Sequence, residues 1–478
     1  MANHTHEEDE GLANRSIILV TGTNSGLGFS ICCRLVDDFL KNPTNNHRTL
    51  TVIFTTRSAQ KGHETLHRLQ QHLHSTTATN PKQARRITFT PETVDLSNLA
   101  STRTCARRID RTFPKLDAVI LNAGIGGWTG LNWPQAIWGV LTDLVHTVSW
   151  PAFKIAPVGQ LTARQTSTLP VGEEPPLGNV FCANVFGHYM LAHHLMPLLQ
   201  RCSSPSSSSS SSSDSGGSSQ SRIIWVSSIE ATLRHFSVTD LQGLRTKVPY
   251  ESSKALTDIL ALTADLPATK PWTSRFYSFS PSPHNLEESE ERDALPPNDT
   301  HNSNKPNIYV AHPGVCGTAI LPLALPLIWA MQVAFWLARL LGSPWHTMWT
   351  YMGASAPVWL ALSSQTELDA AEAPYRARGG GRVKWGSSCD RLGRDSVLST
   401  EMDGWGHGGV VGPAVVEADR RRRRKRGARD LTAEERVAFE ELGRRCWREM
   451  EELRVQWERI LDREELEKKQ GLEAPVKA

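Results

Sequence analysis

Residues 16–40 constrain the fold more than any other stretch. Ser16 to Thr21 is an apolar, β-branched run. It ends in Thr21-Gly22-Thr23-Asn24-Ser25-Gly26-Leu27-Gly28, and apolar residues then recur at helical spacing from Phe29 to Leu40. A strand that enters a helix through a glycine-rich turn belongs in an α/β sheet. The glycines stand as GxxxGxG, which lets the backbone approach a pyrophosphate and aims the first helical N–H groups and the helix dipole at its charge. A tight strand-to-helix connection can also demand positive φ without any ligand. The position of the turn after the first strand favours the dinucleotide reading.

The rhythm continues. Leu50 to Thr56, Arg85 to Leu96, Leu116 to Leu121, Arg222 to Ser227, Asn307 to Ala311 and Arg382 to Trp385 read as strands, with helical stretches such as Lys61 to His72 and Ala100 to Arg111 between them. That alternation predicts an α/β fold with a doubly wound parallel sheet, the Rossmann fold. A chain of 478 residues has room for two or three domains, or for one of about 250 residues with large additions. The pattern favours the second: a polar leader over 1–15, and one domain over 16–395 with insertions at 126–176, 203–219 and 270–306 and an apolar segment at 320–338. A Gly-rich linker, a basic run and a charged helical tail fill 396–478. The 39% hydrophobic share can build a core, and a net charge of +3 excludes a globally basic nucleic-acid binder. No nucleic-acid partner is expected. The eight cysteines show no CxxC pair or zinc spacing, so neither a metal site nor a disulfide framework is expected. Met1 to Glu10 has no apolar h-region, so no secretory signal is expected either.

The end of the second strand reports on the dinucleotide. Thr55-Thr56-Arg57-Ser58 offers a guanidinium and hydroxyls suited to the 2′-phosphate of NADP, where an NAD enzyme places an acid. Lys61 is equally suited, and Arg57 as a solvated loop cation is the plain alternative. Asp95 closes the third strand and could accept from the adenine amino group, or simply cap a helix. Farther on, Tyr250 and Lys254 are four apart and share one helix face. An ammonium near a phenol favours the ionised form and draws its pKa down from about 10, as a proton donor to a carbonyl requires.

These motifs resemble the short-chain dehydrogenase/reductase family: TGxxxGxG at Thr21 to Gly28, Asn122-Ala123-Gly124, Asn184 in a helix, Ser228, Tyr250 with Lys254, and Pro313-Gly314-Val315 before Thr318. The resemblance implies that Tyr250 is the general acid/base and that Lys254 lowers its pKa and holds the nicotinamide ribose. It implies further that Ser228 holds the substrate carbonyl and Asn184 positions a relay water. Gly22, Ser25, Gly26, Leu27, Gly28, Arg57, Lys61, Asp95, Asn122, Val315 and Thr318 would join Tyr250 and Lys254 around NADP(H). Ser227 competes for the serine role, and the interval from Ser228 to Tyr250 is longer than is usual in the family.

That interval, with Ile125-Gly126-Gly127-Trp128, Trp133, Trp138 and Trp385-Gly386-Ser387, is similar to the fungal sterol 3-ketoreductases. The implied reaction is NADPH-dependent reduction of a sterol 3-oxo group during C4-demethylation in ergosterol synthesis. The implied location is the cytoplasmic face of the endoplasmic reticulum membrane or a lipid droplet, beside other enzymes of that sequence. The alternatives are a reductase of another lipophilic ketone or aldehyde, and a non-catalytic scaffold that recruits partners through its tail.

Three further stretches carry expectations. Ile137, Leu141, Leu144, Val145 and Val148 fall on one face of a helix flanked by Trp133, Trp138 and Trp150, an apolar lobe suited to a flat hydrocarbon or to ordinary core. Ile320 to Ala338 reads as a lobe helix that embeds in one membrane leaflet, with Trp329, Trp336 and Trp345 as anchors and Arg339 at headgroup level; a core helix is the alternative. Arg420 to Arg426 reads as solvated linker or as a site for acidic lipid, nucleic acid or an import receptor. The helix after it, with alternating charges and a thin stripe at Trp447 and Val455, reads as a surface or partner-binding element.

Overall fold

The computed structural model describes residues 12, 14–167, 169–170, 172–202, 220–279, 305–317 and 325–473. The serine-rich insertion, most of 270–306, Thr318 and the start of the apolar segment lie outside the described residues, as does nearly all of the leader.

Ten strands form in the described chain: β1 Arg15–Val20, β2 Thr49–Thr56, β3 Ile87–Thr93, β4 Ala118–Leu121, β5 Gly130–Leu131, β6 Lys154–Ile155, β7 Arg222–Val226, β8 Asn307–His312, β9 Lys384–Cys389 and β10 Asp395–Thr400. Eight of them make one sheet in the order β10-β9-β8-β7-β4-β1-β2-β3, and β5 and β6 form a separate hairpin. Every pair in the large sheet is parallel except β9 with β10. The chain runs outward from β1 to β3 and returns to the other side of β1 as β4, so the crevice of a doubly wound sheet opens at the carboxyl ends of β1 and β4.

Both faces of the sheet are covered at its centre, which is why β1, β4 and β7 read as unbroken apolar runs. Ile17 and Leu19 point into one core and Ile18 and Val20 into the other. The helices that frame the crevice and its surroundings are α1 Gly26–Lys41, α2 Ala59–Thr76, α3 Leu99–Thr112, α4 Trp133–Thr142, α5 Leu144–Ser149, α6 Gly187–His194, α7 Pro249–Thr263, α8 Lys270–Tyr277, α9 Leu325–Leu340, α10 Ser355–Leu362 and α11 Ala433–Glu473. Ser58 caps α2 by accepting from the Lys61 N–H at 3.3 Å, and Asn98 caps α3 by accepting from the Ser101 N–H at 2.8 Å.

The tail departs from expectation. β10 crosses the boundary set at 395/396, and α11 is no appendage. Its Phe439, Cys446, Trp447, Met450 and Trp457 are buried in the core that also holds Leu256 and Ile259 of α7. The Trp447 indole N–H donates to Leu260 O at 3.2 Å, and a Cβ on Gly443 would sit 2.5 Å from the Thr263 side chain. Counting charges hid this, because Trp447 and Trp457, both buried, are outnumbered in sequence by the charged residues around them. The charges on that face are themselves buried and paired: Arg454 with Glu451 at 2.7 Å and Glu458 at 2.6 Å, and Arg103 of α3 with Asp462 at 2.6 Å.

The lobe, the apolar segment and the basic run also differ from the sequence reading. The single helix expected over 137–148 breaks at Asp143, which caps α5 by accepting from the His146 N–H at 3.2 Å; Ile137 and Leu141 are exposed, whereas Val145 and Val148 pack against Phe335 and Ala338 of α9. In the apolar segment Trp329 and Trp336 are exposed as anchors require, but Trp345 and Arg339 are buried. Trp345 packs on His312 at 5.0 Å, and Arg339 donates to the Met348 sulfur at 2.9 Å. No helix among the described residues is long and apolar enough to cross a membrane. The basic run, finally, is largely solvated yet ion-paired: Arg422 is buried on Asp419 at 2.8 Å, whereas Arg424, paired with Asp430 at 2.8 Å and with Glu401, and Arg423, paired with Asp143 at 3.2 Å, stay open to solvent.

Candidate active site

At the end of β1 the chain turns through Gly22 and Gly26, whose φ values of +69° and +58° favour glycine. A Cβ on Gly22 would lie 2.7 Å from Ala123 Cα, and one on Gly28 would lie 2.1 Å from Gly22 O. Ser25 stands at the N-cap of α1 without a side-chain cap bond, which leaves the first N–H groups open to an anion, with Leu27 inside that first turn. Arg57 and Lys61 are exposed beyond β2, and neither side chain has an ion pair among the described residues. Asp95 uses one carboxylate oxygen on the Ser97 N–H at 3.0 Å, while Asn98 does the capping, so Asp95 is not the N-cap. A close-packed glycine cradle, an uncapped helix start and two unpaired cations fit a dinucleotide that carries a 2′-phosphate.

A buried network braces this cradle. The Asn122 amide donates to Thr21 O at 2.9 Å and to Gly22 O at 3.3 Å, and the Asn122 and Ala123 N–H groups donate to Thr21 Oγ1. His188 lies 2.8 Å from the same hydroxyl through Nε2 and 3.2 Å from Asn184 O through Nδ1. Burial holds His188 at about 3, so it is neutral. Its Nδ1–H then donates to the carbonyl and Nε2 accepts from Thr21. Sequence reasoning missed His188, and it missed Arg68, which donates to Asn24 O at 2.9 Å and lies 3.9 Å over the Phe29 ring. Val315 presents only its side chain, because its N–H donates to Trp345 O and its C=O accepts from the Met348 N–H.

Farther along the crevice, α7 begins at Pro249 and carries Tyr250 and Lys254 on the face toward β7. The Lys254 ammonium donates to Val226 O at 2.8 Å and lies 5.8 Å from the Tyr250 ring centre. Burial lowers Lys254 to about 8, with Asp258 opposing and Lys384 reinforcing the shift. The two serines separate. The Ser227 hydroxyl donates to Lys254 O at 3.3 Å, whereas the Ser228 hydroxyl accepts from the Glu230 N–H at 3.1 Å and is the group that favours the ionised form of the Tyr250 phenol. The Tyr250 phenol is pushed above its ordinary value, by burial first and the Glu230 carboxylate next, with Ser228 opposing. The expected depression by Lys254 is therefore not present in this arrangement, because the ammonium is turned to the backbone of β7. Asn184 sits in a π-helical turn, Cys182–Phe186, a distortion that recurs at functional sites. Its amide donates to Ile125 O and to Ser253 Oγ, both at 3.0 Å, and Ser253 in turn donates to Tyr250 O at 2.7 Å.

The structure thus gathers Asn184, Ser228, Tyr250 and Lys254 in one crevice, with the glycine turn, Asn122 and Val315 along its rim. Against the curated proteins, the chain is 61% identical to the 3-keto-steroid reductase of Aspergillus fumigatus over 466 residues, which is 97% of this chain and 98% of that one. It is 38% identical to that of Gibberella zeae across 93% of this chain and 94% of the other, and 29% identical to that of Schizosaccharomyces pombe across 81% and 91%. The chain belongs to the fungal 3-keto-steroid reductase family. No protein-family model matches it. Within this 3-keto-steroid reductase fold the insertion after Asn122-Ala123-Gly124 reaches the site itself. Its β6 carries Lys154 back over the crevice, and Trp128 packs edge-on against Tyr250 at 4.8 Å. Lys154, Glu230 and Glu251 were not legible as site residues, since Lys154 is distant in the chain and lies in a segment read only as apolar.

Proposed function

We propose that the chain is an NADPH-dependent reductase that converts the 3-oxo group of a sterol intermediate into a 3-hydroxyl during the C4-demethylation steps of ergosterol biosynthesis. The observation that carries this reading is the convergence of Ser228, Tyr250 and Lys254 at the end of β7 in a chain 61% identical to a 3-keto-steroid reductase. Ser228 and Tyr250 address the same substrate oxygen: Ser228 donates a hydrogen bond to the carbonyl, and Tyr250 gives up its proton as the alcohol forms. Asn184, held by Ile125 and Ser253, orients the relay that returns a proton to Tyr250, and Lys254 holds the ribose. NADPH, when bound, supplies the hydride that C3 receives. The Gly22, Ser25, Gly26, Leu27 and Gly28 turn takes the pyrophosphate, Arg57 and Lys61 the 2′-phosphate, and Asp95 the adenine amino group. Asn122 shapes the turn, and Val315 and Thr318 are assigned to the nicotinamide by the family resemblance, Thr318 lying outside the described residues.

The apolar faces left open on α4 and α9, with Trp138 and Trp329 about seven-tenths exposed, support a peripheral or monotopic seat on the cytoplasmic face of the endoplasmic reticulum, or on a lipid droplet, beside other C4-demethylation enzymes. The deciding experiment follows NADPH oxidation with a panel of 3-ketosterols, comparing the parent chain with Tyr250→Phe. Turnover of at least one sterol is expected, with a loss of about 10²–10⁴-fold in the variant. No turnover with any sterol, or equal turnover by the variant, rejects the reading; the first result would favour a scaffold or a reductase of another ketone.

A further inference from the structure

Against the Tyr250 ring lies a buried charge cluster for which the proposed reaction has no use. Lys154 brings its ammonium to 4.0 Å from the Trp128 ring centre and 5.2 Å from that of Tyr250. The same ammonium is ion-paired with Glu230 and, at 2.9 Å, with Glu251. The Lys154 and Glu251 side chains are less than a tenth exposed, and Glu251 Oε2 has no hydrogen-bond partner among the described residues. One cation therefore faces two carboxylates in a setting where a surplus charge is costly. Burial lifts Glu230 to about 6, with Lys154 opposing and Glu251 adding to the rise. The other titratable groups facing the cluster are few: His235 from the short turn Leu233–His235 facing Glu251, Cys316 beyond β8 facing Tyr250, and Lys254, whose ammonium is directed away to Val226 O.

We propose that the Glu230–Lys154–Glu251 cluster is a positioning device that keeps the Tyr250 hydroxyl in its proton-bearing form into the alkaline range, so that ketone reduction persists to higher pH. The inference rests on the reading of Tyr250 as the general acid. A carboxylate beside a phenol repels the phenolate, and Lys154 fixes Glu230 at the ring while its own charge is spent on two acids. Ketone reduction needs the phenol, and alcohol oxidation needs the phenolate. A cluster that disfavours the phenolate carries the alkaline limb of reduction and the rise of oxidation to higher pH together.

The test uses the full chain and pH profiles of kcat/KM in both directions, with a 3-ketosterol and NADPH, then with the 3-hydroxysterol and NADP⁺. Glu230→Gln removes the charge and keeps the shape. The alkaline limb of reduction and the acid limb of oxidation should both move toward acid by about one pH unit. Lys154→Met should lower kcat, and Lys154→Arg should restore it. Should Glu230→Gln fail to fold, Glu251→Gln carries the same readout. Unmoved limbs in a folded Glu variant, with Tyr250→Phe inactive, overturn this proposal alone. An active Tyr250→Phe overturns the assignment of the acid beneath it.

Discussion

At the residue scale, the site is built from side chains whose freedom has been removed. Asn122 spends its amide on the glycine turn, Asn184 on Ile125 and Ser253, and Lys254 on the β7 backbone. Arg57 and Lys61 have no ion pair among the described residues, and that supports their pairing with a 2′-phosphate. Arg57→Asp is expected to raise the Michaelis constant for NADPH far more than that for NADH; steady-state kinetics with both cofactors checks this, and an unchanged preference would transfer the role to Lys61. The polar groups named from the sequence lie in one crevice because short motifs mark local backbone geometry, and the Rossmann topology brings strand ends together. Lys154 and His188 were invisible for the opposite reason. Lys154 works through Glu230 and Glu251 and His188 through Thr21, all distant in the chain, and no spacing rule encodes a contact made by tertiary packing.

Elements show the same division. The central strands β1, β4 and β7 were anticipated because they are unbroken apolar runs, and that signal is local. β10 and α11 were misjudged because their burial depends on what covers them. Trp447→Ala should cost about 3–5 kcal/mol in chemical denaturation, the range for a large aromatic removed from a core; a surface helix would lose under about 0.5 kcal/mol. Gly443→Ala belongs with it, since the added methyl meets Thr263. The lobe elements make a different prediction. Changing Trp138 and Trp329 to Ser should reduce flotation with liposomes while the thermal midpoint stays near that of the parent, because both side chains are already in solvent. Undiminished flotation would count against membrane contact by α4 and α9.

The whole molecule carries an acid sensitivity. His188 and His194 are held at about 3 and His346 at about 4, in each case by burial first. In the unfolded chain each would titrate near 6.5. The unfolded state therefore takes up protons that the folded state refuses, and stability falls as the pH drops from about 6.5 toward 3. Several such groups act together, so the thermal midpoint should fall between pH 7 and pH 5 more steeply than one histidine allows, and a flat curve would show that these rings take up protons while folded. His72 works in the other sense: its bond to Asp37 lifts it to about 10, so its contribution is complete below about 6.5 and is lost as the pH rises through 10. The order of the chain adds a final consequence. The helix that bears Tyr250 and Lys254 is clasped between the sheet and α11, so the reaction centre is complete only once a segment far downstream of every motif residue has docked. A nonsense change at the head of α11 would therefore strip the cover from α7 while leaving every motif residue in place.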